Sequence, residues 1–262
     1  MNLVNWTKDE LSEFLGGKVI HRQHDIWSDI LVIDHGSQRV LTFDTIYEQS
    51  RMDRNKPAML VHNYTRAMIL GLAFVKPEHV TILGLGGGCL VRAVHALFDE
   101  AVLDVVELRQ AVAEIAQQYF MLPQTPRIQV TISDAKQYLK KQVTASTDMI
   151  FADMYDGYGV HPFQMQERFI QQCHRTLTSS GWLVINCHKL PDFDSPILVS
   201  LISLFKEVFV CPVPTGNYIM YAGKSELSAS EQSYLQQIVP FQSKIHTKFE
   251  FLFNRMIRLS HC

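Results

Sequence analysis

Hydrophobic and polar positions change rhythm twice along the chain. The opening Thr7-Lys8-Asp9-Glu10 has the Ser/Thr-x-x-Glu form of a capping box and predicts a short helix. From about 17 to 49 the pattern turns β-rich, in the runs GKVIHRQHD, SDILVIDHG and QRVLTFDTIYEQ, with His35-Gly36-Ser37 as the turn between the second and third. A small antiparallel sheet is expected there. Pro57 suits the first turn of a helix running to about Phe74, with Met59, His62, Met68 and Leu72 at helical spacing.

After Pro77 the rhythm is strand, helix, strand, helix. Strands are expected at 80–85, 102–107, 127–132, 148–153 and 182–187, with crossover helices such as 109–119 and 163–177 between them. Short, apolar, mostly unalternating strands are those of a parallel sheet covered on both faces. A helix over 196–205 leads to strands 207–213 and 217–223, joined by Pro214-Thr215-Gly216, so the sheet should end in an antiparallel hairpin. The segment from Ser228 reads as helical and amphipathic. These patterns predict an N-terminal helix and small β-domain over 1–54, and an α/β domain with a helical tail over 55–262.

Composition narrows the class of function. At 47% hydrophobic and 19% charged, the 262-residue chain is globular. A formal net charge of −2 gives no pull toward nucleic acid or an anionic membrane, which leaves a small molecule as the expected partner. The N-terminus does not read as a signal peptide, and charged or polar residues interrupt the apolar segments 58–75 and 196–213, so neither should span a membrane. Five cysteines (89, 173, 187, 211 and 262) never form CxxC, which favours reduced thiols in a cytoplasm over disulfides or zinc. His62, His161 and His188 lack HxH or HxxxH spacing, and no metal is expected.

Candidate chemistry begins at GLGGGCL. Gly84, Gly86, Gly87 and Gly88 follow an apolar strand and precede a helix, where backbone can approach a nucleotide and helix N–H groups are free. Glu107 ends the next strand, nineteen residues after Gly88, placed to accept from both ribose hydroxyls. The G-x-G-x-x-G fingerprint fails at Cys89 and no GxxxxGK[ST] loop exists, so an adenosine without pyrophosphate is expected. After the third strand, Asp134 can accept from an adenine amino group, with the Ala135 N–H reaching a ring nitrogen; Asp134 is equally a good helix N-cap. Asp153 ends the fourth strand and Asp156 follows in DMYDGYGVHPF. Two such carboxylates can hold a cationic amine and take its proton, which an alkylammonium with a pKa near ~10 must lose before attack. Tyr155, Tyr158 and His161 suit a substrate wall or a gating loop.

This ordered series resembles the spermidine synthase family, the polyamine aminopropyltransferases, over about 38–223. The family loop GGGDG is similar to Gly86-Gly87-Gly88-Cys89-Leu90, its Val-Glu-Ile-Asp to Val106-Glu107-Leu108-Arg109, and its Gly-Asp-(Gly/Ala) to Ser133-Asp134-Ala135. Its Asp-(Ser/Thr)-(Ser/Thr)-Asp-Pro loop resembles Asp153-Met154-Tyr155-Asp156-Gly157. The late hairpin resembles Val213 to Tyr218, which implies Tyr218 against the substrate, and a Tyr-His before a helix resembles Val61-His62, which implies His62 at the donor site. The resemblance implies a Rossmann-like class I methyltransferase fold, a seven-stranded sheet with a terminal antiparallel hairpin behind a small β-domain. It also implies aminopropyl transfer from decarboxylated S-adenosylmethionine to an amine, with Asp156 as base and a homodimer as the assembly.

Two departures bear on the donor. The Asp of GGGDG helps hold the donor ammonium in the family, and Cys89 cannot replace that charge-assisted bond, worth roughly 1.5–3 kcal/mol. Arg109 stands where the family has Asp and adds positive charge. Together they can favour a donor that keeps its carboxylate, S-adenosylmethionine itself, making methyl or carboxyaminopropyl transfer the alternative. Against this, Arg109 can point to solvent and Glu48 can supply the missing carboxylate. A third reading is a nucleoside-binding protein without catalysis.

Overall fold

A computed structural model of the chain describes residues 6–43, 48–155, 159–227 and 231–259. Helix α1 (Lys8–Leu15) starts at the expected capping box, with Thr7 and Glu10 bonded reciprocally, and ends at Gly16 in the left-handed conformation. Strands β1 (Lys18–His24), β2 (Asp29–His35), β3 (Gln38–Phe43) and β4 (Glu48–Asp53) form an antiparallel sheet in chain order. Gly36, at φ 61°, makes the expected turn between β2 and β3. The β-rich rhythm was expected to end near 49; pairing continues to Asp53, opposite Gln38.

The helix expected from Pro57 is shorter. Helix α2 spans Asn63–Ile69 and continues as a 3₁₀ turn, Leu70–Ala73. One distant and one local bond hold the stretch before it in an irregular path: Leu60 N–H donates to Thr247 Oγ1 at 3.1 Å, and Arg66 Nε, from α2 itself, donates to Leu60 O at 2.8 Å. A backbone donor engaged outside the segment overrides local helical spacing.

The remaining elements are β5 (His79–Leu83), α3 (Cys89–Leu97), β6 (Val102–Glu107), α4 (Gln110–Tyr119), β7 (Ile128–Ile132), α5 (Ala135–Lys141) and β8 (Thr147–Ala152). They are followed by α6 (Glu167–Thr176), β9 (Leu177–Cys187), α7 (Pro196–Leu204), β10 (Glu207–Pro212), β11 (Tyr218–Gly223), α8 (Glu231–Lys244), α9 (Glu250–Phe253) and β12 (Ile257–Arg258). The strand order is β12-β10-β11-β9-β8-β5-β6-β7. The five strands from β9 to β7 run parallel, and β11 is antiparallel to both β9 and β10, as the short Pro214-Thr215-Gly216 connection required. The two-residue β12 makes the sheet eight-stranded where seven strands were expected.

Alternation along each strand divides the core between the two faces. On β8, Met149 and Phe151 join one buried cluster while Ile150 and Ala152 join the other. Large side chains buried in this way contribute about 1.5–3 kcal/mol each. A third cluster unites the two sheets: Ile30, Val32, Leu41, Phe43 and Met52 pack on Val112, Ile115 and Phe120 of α4 and its end. The N-terminal sheet therefore sits on the face of α4, beside the carboxyl ends of the parallel strands. No described helix is long and apolar enough to cross a membrane.

Candidate active site

A cavity of about 880 Å³ opens where β5, β6, β7, β8 and β9 end. Each strand delivers a polar or flexible group to it, the position expected for ligands in open α/β sheets. After β5 come Gly84, Leu85 and Gly86; Glu107 ends β6, and Leu108 and Arg109 follow it. Ser133, Asp134 and Ala135 follow β7, Asp153 and Tyr155 follow β8, and Asn186 and His188 lie at the end of β9. The N-terminal sheet adds Glu48, Gln49 and Ser50, and α2 with its entry adds His62 and Tyr64.

The glycines divide by role. Gly84, at φ 96°, has no room for a side chain because a Cβ would strike the carbonyl of Asp153. Gly86 lines the cavity, whereas Gly87 and Gly88, expected to contact the donor, do not. Gly87 N–H donates to Ser50 Oγ at 2.8 Å, and a Cβ on it would meet Ser50 and Phe120; one on Gly88 would meet Leu122. These two let the loop close against the N-terminal sheet and the end of α4.

Glu107 is buried, its oxygens accepting from the backbone N–H of Leu85 (3.0 Å) and Arg109 (2.9 Å). Burial raises its pKa, opposed by those N–H groups and that of Gly86. Its remaining lone pairs can accept from vicinal ribose hydroxyls. Asp134 performs one of its two expected roles outright: it caps α5, Oδ1 accepting from Gln137 N–H at 3.0 Å, while still lining the cavity.

Asp153 is half-buried at the cavity wall, and desolvation of its charge pushes its pKa to about 6 against the opposing bond from Asn186. Asn186 Nδ2 donates to Asp153 Oδ1 at 2.8 Å, and Asn217 Nδ2 donates to Asn186 Oδ1 at 2.9 Å. Tyr155 OH and Gln164 Nε2 both donate to Asn186 O, at 3.1 and 2.7 Å. Burial, then the Asp153 charge, keeps the Tyr155 phenol protonated; Tyr64 is raised for the same two reasons. Asp156 and Tyr158, expected as base and substrate wall, lie outside the described residues. Tyr218, expected to touch substrate, packs on the core instead; strand alternation gives the cavity its neighbour Asn217.

The donor-ammonium expectations change most. Arg109 neither points to solvent nor offers a free charge: only 9% exposed, it forms a two-pronged pair with Asp25, Nε to Oδ2 at 2.9 Å and Nη2 to Oδ1 at 2.8 Å. Glu48, the proposed replacement carboxylate, is held by both arms of Arg51 and lies 3.6 Å from His62 Nε2. Burial works against the Glu48 charge, yet Arg51 and His62 hold its pKa below the ordinary range. His62 itself has its pKa lowered, by burial first, with Glu48 opposing the shift. Cys89, first residue of α3, donates to Arg51 O at 3.5 Å and lies 3.6 Å from Arg92 Nη2. Arg92 is buried on the carbonyls of Pro57, Gly87 and Phe120, with no carboxylate partner among the described residues. Among the described residues no group of three or more His, Cys, Asp or Glu side chains is arranged to hold a metal.

Patterning missed Asn186 and Trp27. The one signal for Asn186 was a polar residue inside the apolar run GWLVINC; Trp27 carried none beyond its size at a turn.

A family model described as the spermine/spermidine synthase domain matches residues 60–231. The polyamine aminopropyltransferase of Vibrio vulnificus is 31% identical over 243 residues, covering 87% of this chain and 79% of the relative. A probable spermidine synthase from Corynebacterium glutamicum has a similar fold, with a TM-score of 0.73 at 21% identity, over 84% of this chain and 86% of that one. Human methyltransferase-like protein 13, solved in complex with SAH, shares the fold at a TM-score of 0.60 and 23% identity, over 71% of this chain and 94% of that one. The expected methyltransferase-like architecture is thus the observed one, and the chain belongs to the spermine/spermidine synthase domain family.

Proposed function

We propose that this chain transfers an aminopropyl group from decarboxylated S-adenosylmethionine to an amine. The observation that carries the reading is Asp153, its carboxyl raised to about 6, facing the same cavity as Glu107 and the glycine loop, within a family whose relatives are named polyamine aminopropyltransferases. Glu107 holds the ribose, and Asp134 with Ala135 meets the adenine. Gly84 and Gly86 let the donor lie close to the backbone. The amine lone pair attacks the carbon bonded to the sulfonium; the new C–N bond forms as the C–S bond breaks, and its electron pair leaves on sulfur as a neutral thioether. Asp156 takes the proton that the amine must lose, and Asp153 holds positive charge near the reacting nitrogen. Alignment and fixed charge supply the rate.

A test supplies decarboxylated S-adenosylmethionine and a panel of diamines, and follows release of 5′-methylthioadenosine. Turnover is expected, and Asp156→Asn should lose about 10²–10⁴-fold in rate while binding the donor as before. Donor binding without product across the panel would instead support the non-catalytic nucleoside-binding reading.

One observation favours the second enzymatic reading. Arg109 is paired to Asp25 and Arg92 is buried outside the cavity lining, so what favours this reading is the uncharged Cys89 lining the cavity where the resembling family carries an Asp for the donor ammonium. Methyl or carboxyaminopropyl transfer from S-adenosylmethionine follows if calorimetry shows tighter binding of the carboxylated donor than of the decarboxylated one.

A further inference from the structure

The tip of the β1–β2 hairpin is organised around one carboxylate. Asp25 Oδ1 accepts the backbone N–H groups of Trp27 at 2.9 Å and Ser28 at 3.2 Å, while Asp25 N–H donates to Ser28 O at 3.2 Å. This closes residues 25–28 into a side-chain-stabilised turn. The same carboxylate takes the two-pronged bond from Arg109, whose Nη2 also reaches Ser28 Oγ at 3.1 Å. The Arg109 guanidinium carbon stands 4.2 Å from the centroid of the Phe43 ring. Its backbone N–H donates to Glu107 Oε1. One residue thus joins the hairpin tip, the start of α4 and the carboxylate assigned to ribose.

That rigidity ends at Trp27. Arg109 and Asp25 are buried or nearly so, but the indole is 57% exposed, and it lines the cavity together with Ser28 and Leu108. The turn that carries this large aromatic has a fixed shape before a ligand arrives, which lowers the ordering cost of capturing a flat surface. Planar bases stack on such side chains.

We propose that Trp27 is a specificity-determining residue of the donor site, covering the planar base of a bound adenosine, and that Arg109 is the positioning residue that keeps it there. The inference rests on the nucleoside reading of the cavity given above.

Titration of the whole chain with 5′-methylthioadenosine, read by calorimetry and by tryptophan fluorescence, tests it without needing turnover. Trp27→Ala should weaken binding about 5- to 50-fold, and Trp27→Phe should stay within about threefold of the parent because a ring remains. Asp25→Asn and Arg109→Ala should weaken binding comparably and add little to Trp27→Ala, since they act through the same indole. Trp27 contributes little to the core, so its variants should keep the parent's fold. Parent-like affinity in Trp27→Ala overturns the inference alone. Losses that simply add overturn the role of Arg109. A parent that binds no adenosine thioether overturns the nucleoside reading and this inference with it.

Discussion

Asn186 presents its amide N–H to Asp153 across adjacent strand ends, at 2.8 Å, and cannot readily turn around because Asn217 donates to its oxygen. The bond opposes the burial that pushes Asp153 to about 6. A carboxyl whose folded pKa lies above its unfolded value of about 3.9 binds its proton more tightly in the native state. Stability from this group is therefore full at low pH and declines as pH rises from about 4 to about 6.

Replacing Asp153 with Asn keeps the shape and removes the charge. The variant should exceed the parent in stability at pH 8 by up to about 3 kcal/mol, with the advantage gone below about pH 4. Denaturant titration at both pH values measures this. An equal difference at the two would show that the Asp153 charge is not strained in the fold.

Two glycines separate conformational cost from steric cost. Gly16 and Gly84 both have positive φ, but nothing stands within 4 Å of a Cβ on Gly16, while one on Gly84 would strike the carbonyl of Asp153. Gly16→Ala should cost about 1 kcal/mol, the left-handed penalty alone. Gly84→Ala should cost more than about 3 kcal/mol, because loop and strand end must part. Thermal unfolding of the pair decides it; equal losses would contradict the close approach at Gly84.

Cys89→Asp restores the family's carboxylate beside Arg92. A charge-assisted bond to the donor ammonium is worth about 1.5–3 kcal/mol, so affinity for decarboxylated S-adenosylmethionine should rise about tenfold or more relative to S-adenosylmethionine. Competitive calorimetry reads the ratio. An unchanged ratio would mean that Cys89 does not face the donor's charged end.

The fold was legible where the pattern is local. Strands β5 to β9 and the β10–β11 hairpin announce themselves through apolar runs and a three-residue connection, and α1 through its cap. The site was legible where a strand end carries an acid, as at Glu107, Asp134 and Asp153. What resisted reading depends on partners far along the chain. The Arg109 charge is answered by Asp25, 84 positions away, and Gly87 is small because Ser50 and Phe120 press on it. The late start of α2 follows from Thr247, 187 positions from Leu60. Periodicity carries no information about such meetings.

The two-residue β12 also decides how the large sheet meets other molecules. It pairs with Phe209 and Val210, Leu259 N–H donates to Val208 O at 2.8 Å, and Arg258 anchors on the buried Glu207 at 2.6 Å. The apolar run of β10 therefore does not present a bare row of backbone donors and acceptors, the feature that templates sheet-to-sheet aggregation. At the opposite margin, β7 exposes Gln129 and Ile132 and half-buries Ile128, Val130 and Thr131. A short strand late in the chain thus closes part of the apolar β10 margin of the sheet to strand addition.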